Sequence, residues 1–296
     1  DRRKLMAKKP IGFIGLGLMG QGFTRRLVEL GHVVLGFDID PAKVAAAAAW
    51  GVKPAKSATE VVAASDVILV CVINTAAVED AAIGPRGALA ASNLDGKIFV
   101  DHSTTELEAT KRIAEAVAAR GMMFVDAPVS GGPGAAASGS LAIMAGGDDK
   151  AMAAIADVMR CLGKMTHMGP VGTGQATKLV NQTLVLTNYC VLAEALRLAQ
   201  AYGVDARKIP EALKTGHAGS NLLAVAFPQM IDEDFAPRGF ARQVLKDLEM
   251  LQAAARDQHL AMPMASQALT LFRLLVAGGK SEFDATAVVS LYPKAL

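Results

Sequence analysis

The chain has 296 residues, of which 52% are hydrophobic and 20% are charged, and its formal net charge is +2. This length is typical of about two domains, and the hydrophobic fraction is enough for a large core. A charge so close to neutral argues against nucleic acid or a membrane surface as the main partner. The basic start DRRKLMAKKP, with a candidate natural start at Met6, is not followed by the apolar run of a secretory signal. We therefore expect a soluble, cytoplasmic protein.

The cysteines and the most apolar segment exclude two further classes of site. Cys71, Cys161 and Cys190 lie far apart and do not form a metal-ligand spacing. They are expected to be small core residues in a reducing compartment, and we predict no metal site. The most apolar segment, about residues 176–201, contains Lys178 and several other polar residues. It is therefore too polar to span a bilayer.

Residues 10–170 alternate strand patterns with helical patterns. Buried strands are predicted at IGFIGL, VVLGFD, VILVCV, KIFVDH and MFVDAPVS, and helices at GQGFTRRLVELG, AKVAAAAAWG and ELEATKRIAEAVAARG. This alternation predicts an α/β domain with a parallel sheet and helices on both faces. After about Gly172 the strand patterns nearly vanish. One long helical pattern is followed there by shorter ones around residues 208–216, 221–230, 240–258 and 263–277, which predicts an all-α second half.

The segment GLGLMG follows the first strand and opens the first helix. Gly15 allows a tight turn, Gly17 lets the backbone approach a pyrophosphate, and Gly20 lets the helix pack on the strand. The start of the helix then offers N–H groups and a positive dipole end to the phosphates. The candidate cofactor-binding residues of this loop are Gly15, Leu16, Gly17, Leu18, Met19 and Gly20.

Asp38 lies at the end of the second strand, 18 residues beyond Gly20. A carboxylate there accepts hydrogen bonds from ribose hydroxyls and repels a 2′-phosphate. The following segment, FDIDP, contains no arginine. We therefore favour NAD over NADP as the cofactor. Asp40, directly before Pro41, is predicted to be a helix cap instead.

Five segments occur in an order that is specific to one family: GFIGLGLMG, DHSTTE, DAPVSGG, GTGQATKLVNQ and LKDLEM. In these segments, the chain resembles the β-hydroxyacid dehydrogenase family from about residue 10 onwards. That family includes 3-hydroxyisobutyrate dehydrogenase, tartronate semialdehyde reductase and L-threonate dehydrogenase. The stretches DEDFAPRGFARQVLKDLEML and AMPMASQALTLFRLL look most like its threonate and sugar-acid branch.

The resemblance implies a two-domain fold. A Rossmann-like, doubly wound domain would occupy residues 8–172, and an all-α substrate and dimerisation domain would occupy residues 173–296. A long interdomain helix, residues 173–202, would join them. This agrees with the change of pattern seen near Gly172.

Lys178 and Asn181 lie three residues apart, just inside the start of the long helix. Residues at this spacing share one helical face, so both side chains can meet one small molecule. A partly desolvated lysine suits proton transfer to or from a hydroxyl, because burial lowers its pKa from about 10.4 towards neutrality. The resemblance implies that Lys178 is the catalytic residue and that Asn181 binds substrate; the alternative is an exposed lysine near a helix start. The family pattern has asparagine where this chain has Gln182, so the contact made by Gln182 is left open.

Further substrate-binding residues lie in the two halves of the chain. Ser130, Gly131 and Gly132 follow a strand at the carboxyl edge of the sheet, where a hydroxyl and backbone N–H groups form a candidate carboxylate cradle. By resemblance they bind the substrate acid, and Lys246 closes over the active site and contacts cofactor or substrate. The structural alternatives are a glycine-rich turn and a solvated charge pair.

Three more candidates follow other strands of the sheet. Thr104 matches a family threonine that approaches the cofactor near the nicotinamide, with a helix cap as the structural alternative. Ile73 and Asn74 end the third predicted strand and are expected to line the cofactor groove. His102 is expected to be structural, as most single histidines at strand ends are.

These residues predict NAD-dependent oxidation of the hydroxyl of a small 3-hydroxy acid or sugar acid by hydride transfer, with a substrate similar to 3-hydroxyisobutyrate, glycerate or threonate. Two other interpretations are open. One is an NADPH-preferring reductase of a small aldehyde acid such as tartronate or succinate semialdehyde, and the other is a non-catalytic dinucleotide-binding module. The long helix offers more hydrophobic face than a small α domain buries, so we expect a homodimer or homotetramer.

Overall fold

A computed structural model of the protein describes residues 9–294. The basic start and Met6 therefore lie outside the described residues. The chain divides into two compact units, with the boundary between Lys178 and Leu179. The first unit is built around a sheet and the second is helical. Among the described helices, none combines the length and the apolar character needed to cross a membrane.

Nine strands within the described residues form the sheet of the first unit. They are β1 (Ile11–Ile14), β2 (Val34–Phe37), β3 (Lys53–Pro54), β4 (Val67–Val70), β5 (Ile98–Asp101), β6 (Met123–Asp126), β7 (Val129–Ser130), β8 (Leu141–Gly146) and β9 (Gly163–Gly169). Their spatial order is β3-β2-β1-β4-β5-β6-β8-β7, and β9 pairs with β8. The strands from β3 to β6 in this order are parallel, as predicted. β8 runs antiparallel to β6 and β7, which the strand patterns do not predict.

The predicted strand MFVDAPVS is divided in two. β6 ends at Asp126, and β7 begins after Ala127 and Pro128. Proline has no N–H to donate to a strand ladder, so Pro128 interrupts the pairing. Asp126 therefore stands at the carboxyl end of a strand, only four residues before Ser130.

Helices connect most of the strands of the first unit. They are α1 (Leu18–Glu29), α2 (Pro41–Ala48), α3 (Ala58–Ala64), α4 (Thr75–Ile83), α5 (Leu107–Ala118), α6 (Gly132–Ser138) and α7 (Asp149–Leu162), with a 3₁₀ turn at Ala88–Ala90. Asp40 caps α2 through its side chain, as predicted, because its carboxylate accepts the N–H of Ala42. The predicted stop after α1 is also observed: Gly31 has a φ of 82°, which favours glycine just past a helix end.

Side chains of the sheet alternate between two hydrophobic cores. In β1, Ile11 and Phe13 pack in one core with Phe23 of α1, and Ile14 packs in the other with Val61 of α3. The alternation follows because successive side chains of a strand point to opposite faces. Helices therefore cover both faces of the sheet, which confirms the predicted doubly wound architecture.

The helical part of the chain begins with α8 (Thr173–Ala201), which has 29 residues. It is followed by α9 (Ile209–Leu213), α10 (Asn221–Asp232), α11 (Ala241–Asp257) and α12 (Pro263–Ala277), with 3₁₀ turns at Ala206–Lys208 and Ala285–Leu291. One core of the second unit contains Leu196 of α8, Phe227 of α10, Leu248 of α11 and Phe272 of α12. The prediction of a helical second half is confirmed.

Candidate active site

The edge where the parallel strands end carries most of the predicted site residues. The strands β1, β4, β5 and β6 are in register, so four residues are neighbours at their carboxyl ends: Ile14, Val70, Asp101 and Asp126. Open α/β sheets bind their ligands outside this edge. The glycine fingerprint follows β1, Asn74 follows β4, Thr104 follows β5 and Ser130 follows β6.

The three glycines of the fingerprint have different steric surroundings. Gly15 has a φ of 97°, and a Cβ there would lie 2.1 Å from the carbonyl oxygen of Cys71. A Cβ on Gly20 would lie 2.0 Å from the carbonyl oxygen of Gly15. A Cβ on Gly17 would meet no described atom within 4 Å, and the φ of Gly17 is an ordinary −71°. The protein itself thus requires glycine at positions 15 and 20, whereas position 17 leaves open the space that a pyrophosphate needs.

The start of α1 suits a phosphate group. Gly17 is its N-cap and supplies no side chain to the first N–H groups, and the first turn holds no acidic residue. The N-terminal dipole end is therefore available to an anion, presented by Leu18 and Met19. Leu16 has a different role: its side chain is fully buried, and its N–H donates to Oδ2 of Asp38 at 2.7 Å. Leu16 thus supports the loop from within.

Asp38 follows β2 and is nearly buried. Besides the N–H of Leu16, it accepts the N–H of Asp40 through Oδ1 at 2.9 Å. The Nζ atom of Lys43 lies 3.9 Å from Oδ1. A carboxylate offers about four acceptor positions, so these two hydrogen bonds are compatible with further bonds to ribose hydroxyls.

The residues after β4 and β5 differ in their structural roles. Asn74 is the N-cap of α4, because its side chain accepts the N–H of Ala77 at 2.8 Å. Ile73, beside it, is exposed. Thr104 is half-buried, and the N-cap of α5 is Glu106, so the helix-cap alternative does not hold for Thr104.

Asp101 organises the loop that contains Thr104. Its Oδ1 accepts the N–H of Ser103 at 2.9 Å, and its Oδ2 accepts the hydroxyl of Thr105 at 2.6 Å. The hydroxyl of Ser103 accepts the N–H of Val72, which follows β4, at 2.9 Å. Because Asp101, Ser103 and Thr105 are all buried, these bonds hold Thr104 in place at the edge of the sheet.

Asp126 holds the beginning of α8. Its Oδ1 accepts the N–H of Gly172 and its Oδ2 accepts the N–H of Gln175, both at 2.8 Å. A Cβ on Gly174 would lie 2.4 Å from the carbonyl oxygen of Asp126, so the helix can approach the strand this closely only with glycine there. The side chain of Gln175 donates to the carbonyl oxygen of Ser103 at 2.8 Å. The first turn of α8 is thereby bonded to the ends of β5 and β6.

Lys178 lies one turn beyond Gln175 and is only 8% exposed. Its Nζ donates to the carbonyl oxygen of Val129 at 2.8 Å. Val129 directly precedes Ser130, so the bond holds the lysine beside the predicted carboxylate cradle. The alternative of an exposed lysine does not hold.

The predicted cradle has the backbone geometry of a glycine-specific turn. Gly131 has a φ of 130° and Gly132 has a φ of 70°, both in the region that favours glycine. A Cβ on Gly131 would lie 2.5 Å from the Cβ of Ala135, whereas a Cβ on Gly132 would meet no described atom within 4 Å. Ser130, just before them, is half-buried.

In the helical unit, Asn181 and Lys246 belong to one chain of polar contacts. Nδ2 of Asn181 donates to Oε1 of Gln182 at 2.9 Å, and Nε2 of Gln182 donates to Oδ2 of Asp247 at 2.5 Å. The Nζ atom of Lys246 lies 3.0 Å from Oδ1 of Asp247 as an ion pair. The contact of Gln182, left open by the sequence, is therefore with Asn181 and Asp247.

Two family models cover the chain, one for each half. Residues 10–171 match the NAD binding domain of 6-phosphogluconate dehydrogenase, and residues 172–292 match the NAD-binding of NADP-dependent 3-hydroxyisobutyrate dehydrogenase. The 2-hydroxy-3-oxopropionate reductase of Escherichia coli is 36% identical over 282 residues, which cover 94% of this chain and 95% of that relative. The chain belongs to the β-hydroxyacid dehydrogenase family.

Other comparisons agree with this membership. The 2-(hydroxymethyl)glutarate dehydrogenase of Eubacterium barkeri is 35% identical over 285 residues, or 95% of this chain and 94% of that relative. The crystal structure of 3-hydroxyisobutyrate dehydrogenase from Salmonella typhimurium superposes with a TM-score of 0.87 at 27% identity, covering 96% of this chain and all of that one. This β-hydroxyacid dehydrogenase is therefore an NAD(P)-dependent oxidoreductase of small hydroxy acids, as predicted.

Asp101 and Asp126 open the family segments DHSTTE and DAPVSGG, but the sequence of this β-hydroxyacid dehydrogenase predicted no role for either. Each is a lone aspartate that ends an apolar strand, in IFVD and MFVD, and that position is the signal by which they are recognisable. His102 is structural, as predicted: it is buried, its Nδ1 lies 2.7 Å from the carbonyl oxygen of Ala127, and burial lowers its pKa to about 4. No group of residues that could hold a metal occurs in the described part of the chain, and its three cysteines are free thiols.

Asp126 is predicted to make stability depend on pH. Burial raises its pKa from 3.8 to about 6; the N–H groups of Gly172 and Gln175 act against this rise and nearby Asp101 adds to it. The folded state therefore binds this proton more tightly than the unfolded state between those two values. The contribution of Asp126 to the free energy of unfolding must then fall as pH rises through that range. In Asp126→Asn the side chain is neutral at every pH.

We expect the free energy of unfolding of wild type, minus that of Asp126→Asn, to fall by on the order of 2 kcal/mol between about pH 4 and pH 7. Urea titrations of both proteins at several pH values measure it. His102 titrates in the opposite sense, because its pKa is lowered, but it is present in both proteins and cancels in the difference. A difference that stays flat or rises with pH would show that the pKa of Asp126 is not raised.

Proposed function

We propose that this dehydrogenase oxidises the hydroxyl of a small 3-hydroxy acid or sugar acid with NAD, and that Lys178 is its general acid/base. The observation that carries the proposal is the buried amine of Lys178, bonded at 2.8 Å to Val129 next to Ser130. An amine held beside a cradle for a carboxylate lies where it can exchange a proton with the hydroxyl of the same small acid.

The dinucleotide is assigned to the carboxyl edge of the sheet. Gly17, Leu18 and Met19 would bind the pyrophosphate, and Asp38 would bind the adenosine ribose. Gly15, Leu16 and Gly20 keep the loop in shape for this. The groove towards the nicotinamide would be lined by Ile73, Asn74 and Thr104. When bound, the nicotinamide ring supplies the acceptor for the hydride of the carbinol carbon.

The chain's own residues bind the acid and move the proton. The hydroxyl of Ser130 and the N–H groups of Gly131 and Gly132 would hold the substrate carboxylate. Asn181 and Lys246 would add polar contacts. Lys178 takes the hydroxyl proton during oxidation and returns it during reduction. The carbonyl oxygen of Val129 accepts one of its hydrogen bonds and so fixes the direction of the nitrogen.

The choice between NAD and NADP depends on the surroundings of Asp38. Its carboxylate would repel a 2′-phosphate, which favours NAD. Lys43, whose Nζ lies 3.9 Å from that carboxylate, is a cation that would favour NADP. The alternative function is an NADPH-preferring reductase of a small aldehyde acid such as tartronate or succinate semialdehyde. Two comparisons support this alternative: the similarity to the reductase of Escherichia coli, and the match of residues 172–292 to a family described by an NADP-dependent enzyme.

A panel of acids tests the proposal. 3-Hydroxyisobutyrate, glycerate and threonate are offered with NAD and with NADP, and the two semialdehydes with the reduced cofactors, and nicotinamide absorbance is followed. We expect kcat/KM for one hydroxy acid to be at least about tenfold higher with NAD than with NADP. Turnover confined to NADPH and a semialdehyde would favour the alternative. Cofactor binding without turnover of any acid would favour a non-catalytic module.

We also propose that the enzyme is a cytoplasmic homodimer or homotetramer. Along α8 and at the residue just after it, five apolar side chains at steps of four and seven residues are at least half exposed: Val180, Leu184, Val191 and Leu198 within the helix, and Tyr202 directly after it. Such steps place them on one face of the helix, and burying that face against a second copy removes it from water. Light scattering measures the assembly, and a monomer mass would rule out the proposal.

A further inference from the structure

The polar contacts between α8 and α11 have a direction that chemistry imposes. A carboxylate only accepts hydrogen bonds, so Gln182 must turn its donor atom, Nε2, towards Oδ2 of Asp247, 2.5 Å away. Its Oε1 then points the other way and accepts from Nδ2 of Asn181 at 2.9 Å. Lys246, paired with the other oxygen of Asp247 at 3.0 Å, restrains that carboxylate. The orientation of the Gln182 and Asn181 amides thus follows from the carboxylate of Asp247, the last acceptor in this series of hydrogen bonds.

The direction of these hydrogen bonds determines which groups of the Asn181 amide remain available to a ligand. One hydrogen of its Nδ2 is used by Gln182, so the amide cannot turn over without placing its Oδ1 against Oε1 of Gln182. The carbonyl oxygen Oδ1 is therefore directed away from Gln182, and the second hydrogen of Nδ2 remains to donate to a carboxylate. A side chain that is free to rotate loses entropy when it binds a ligand, whereas one already held in position does not.

The length and burial of Gln182 make it suited to this role. It is 7% exposed and Asp247 is 6% exposed, so water does not readily replace a lost bond between them. Asparagine is shorter by one carbon–carbon bond, about 1.5 Å. It cannot keep both bonds from the same backbone position. Glutamine is thus the amide that connects α11 to Asn181.

We propose that Gln182 is a positioning residue for the acid substrate: through its two hydrogen bonds it holds Asn181 in the orientation that binds the acid. The inference rests on the proposed role of Asn181 in substrate binding. Gln182 itself makes its bonds within the protein and acts only through its neighbour. It should therefore affect the binding of the acid and leave the binding of the dinucleotide unchanged.

Gln182→Asn is the test, and Gln252→Asn is its matched control. Gln252 is a half-buried glutamine of α11 whose Nε2 has no hydrogen-bond partner among the described residues. We expect Gln182→Asn to raise KM for the best hydroxy acid about tenfold, with kcat and the Kd of NAD within about threefold of wild type. Gln252→Asn should leave all three values within about twofold. If Gln182→Asn does not fold, Gln182→Met, which keeps the length without the hydrogen bonds, takes its place.

A double-mutant cycle with Asn181→Ala shows whether Gln182 acts through Asn181. We expect Asn181→Ala to raise KM by itself, and the Gln182 substitution to add less than about twofold in that background. An equal rise of KM in both backgrounds would overturn the inference. So would a lower melting temperature of Gln182→Asn with KM unchanged, since Gln182 would then be structural only. If Asn181→Ala leaves KM unchanged while Lys178 variants are inactive, the role of Asn181 fails and the inference fails with it, but the acid/base assignment stands.

Discussion

Replacing Lys178 with methionine is expected to lower kcat by about 10²–10⁴-fold, the usual contribution of general acid/base catalysis. Methionine keeps most of the length and the apolar stem of lysine but has no proton to exchange. The amine of Lys178 also holds the carbonyl oxygen of Val129, so a modest rise in KM is expected as well. Initial rates and the Kd of NAD, measured by fluorescence titration, separate loss of chemistry from loss of cofactor.

Lys97→Met is the matched control. Lys97 is also buried in the first unit, and its Nζ donates to the carbonyl oxygens of Val62 and Ser65 at 2.8 and 2.5 Å. It precedes β5, however, and so lies at the amino ends of the strands, opposite the proposed site. We expect Lys97→Met to lower the melting temperature and to leave kcat nearly unchanged. A kcat of Lys178→Met within about threefold of wild type would show that another group moves the proton.

Replacing Gly17 with alanine is expected to weaken NAD binding by about 10–100-fold without changing the melting temperature. The added methyl group meets no described atom of the protein, and the φ of Gly17 suits alanine, so the folded state accepts it. A pyrophosphate that must approach this backbone is displaced by the methyl group and loses charge-assisted hydrogen bonds to the N–H groups of α1. Calorimetric titration with NAD and thermal unfolding measure the two effects.

Gly20→Ala and Gly239→Ala are the two controls for Gly17→Ala. A Cβ on Gly20 would lie 2.0 Å from a backbone oxygen, so Gly20→Ala should destabilise the fold by about 3 kcal/mol or more. Gly239, in the helical unit, leaves as much open space as Gly17, so Gly239→Ala should change neither property. Unimpaired NAD binding by Gly17→Ala would show that the dinucleotide does not use this loop.

The candidate cofactor loop and the candidate acid/base could be identified from the sequence because the motifs that carry them are local. The motif formed by Gly15, Gly17 and Gly20, between a strand and a helix, spans only six consecutive residues. The strand and helix patterns are equally local, so the order of the elements and the change near Gly172 were predictable too. The structural alternatives at Asp40 and His102 were also identified correctly, since capping and burial of a lone histidine are common local outcomes.

The support around the lysine could not be predicted in the same way. Asp126 and Gln175 are 49 residues apart, and Ser103 and Gln175 are 72 residues apart. The hydrophobic periodicity of the segments around these residues does not predict such pairs, because the pairs form only once the strands have aligned. The antiparallel β8 was missed for a related reason: the residues of a strand show that it pairs, but not in which direction.

The amino-acid sequence alone indicated the family, the class of fold, the candidate cofactor loop and, through the family resemblance, the candidate acid/base, because the motifs that carry them are residue types at short, fixed spacings. The tertiary structure decided which of these groups are held in place and by what. It placed Asp126 at the start of α8, bonded Lys178 to the carbonyl oxygen of Val129, and made Gln182 the connection between Asn181 and Asp247. Buried polar groups must find partners wherever the fold brings them, so only the folded chain shows which partners they have.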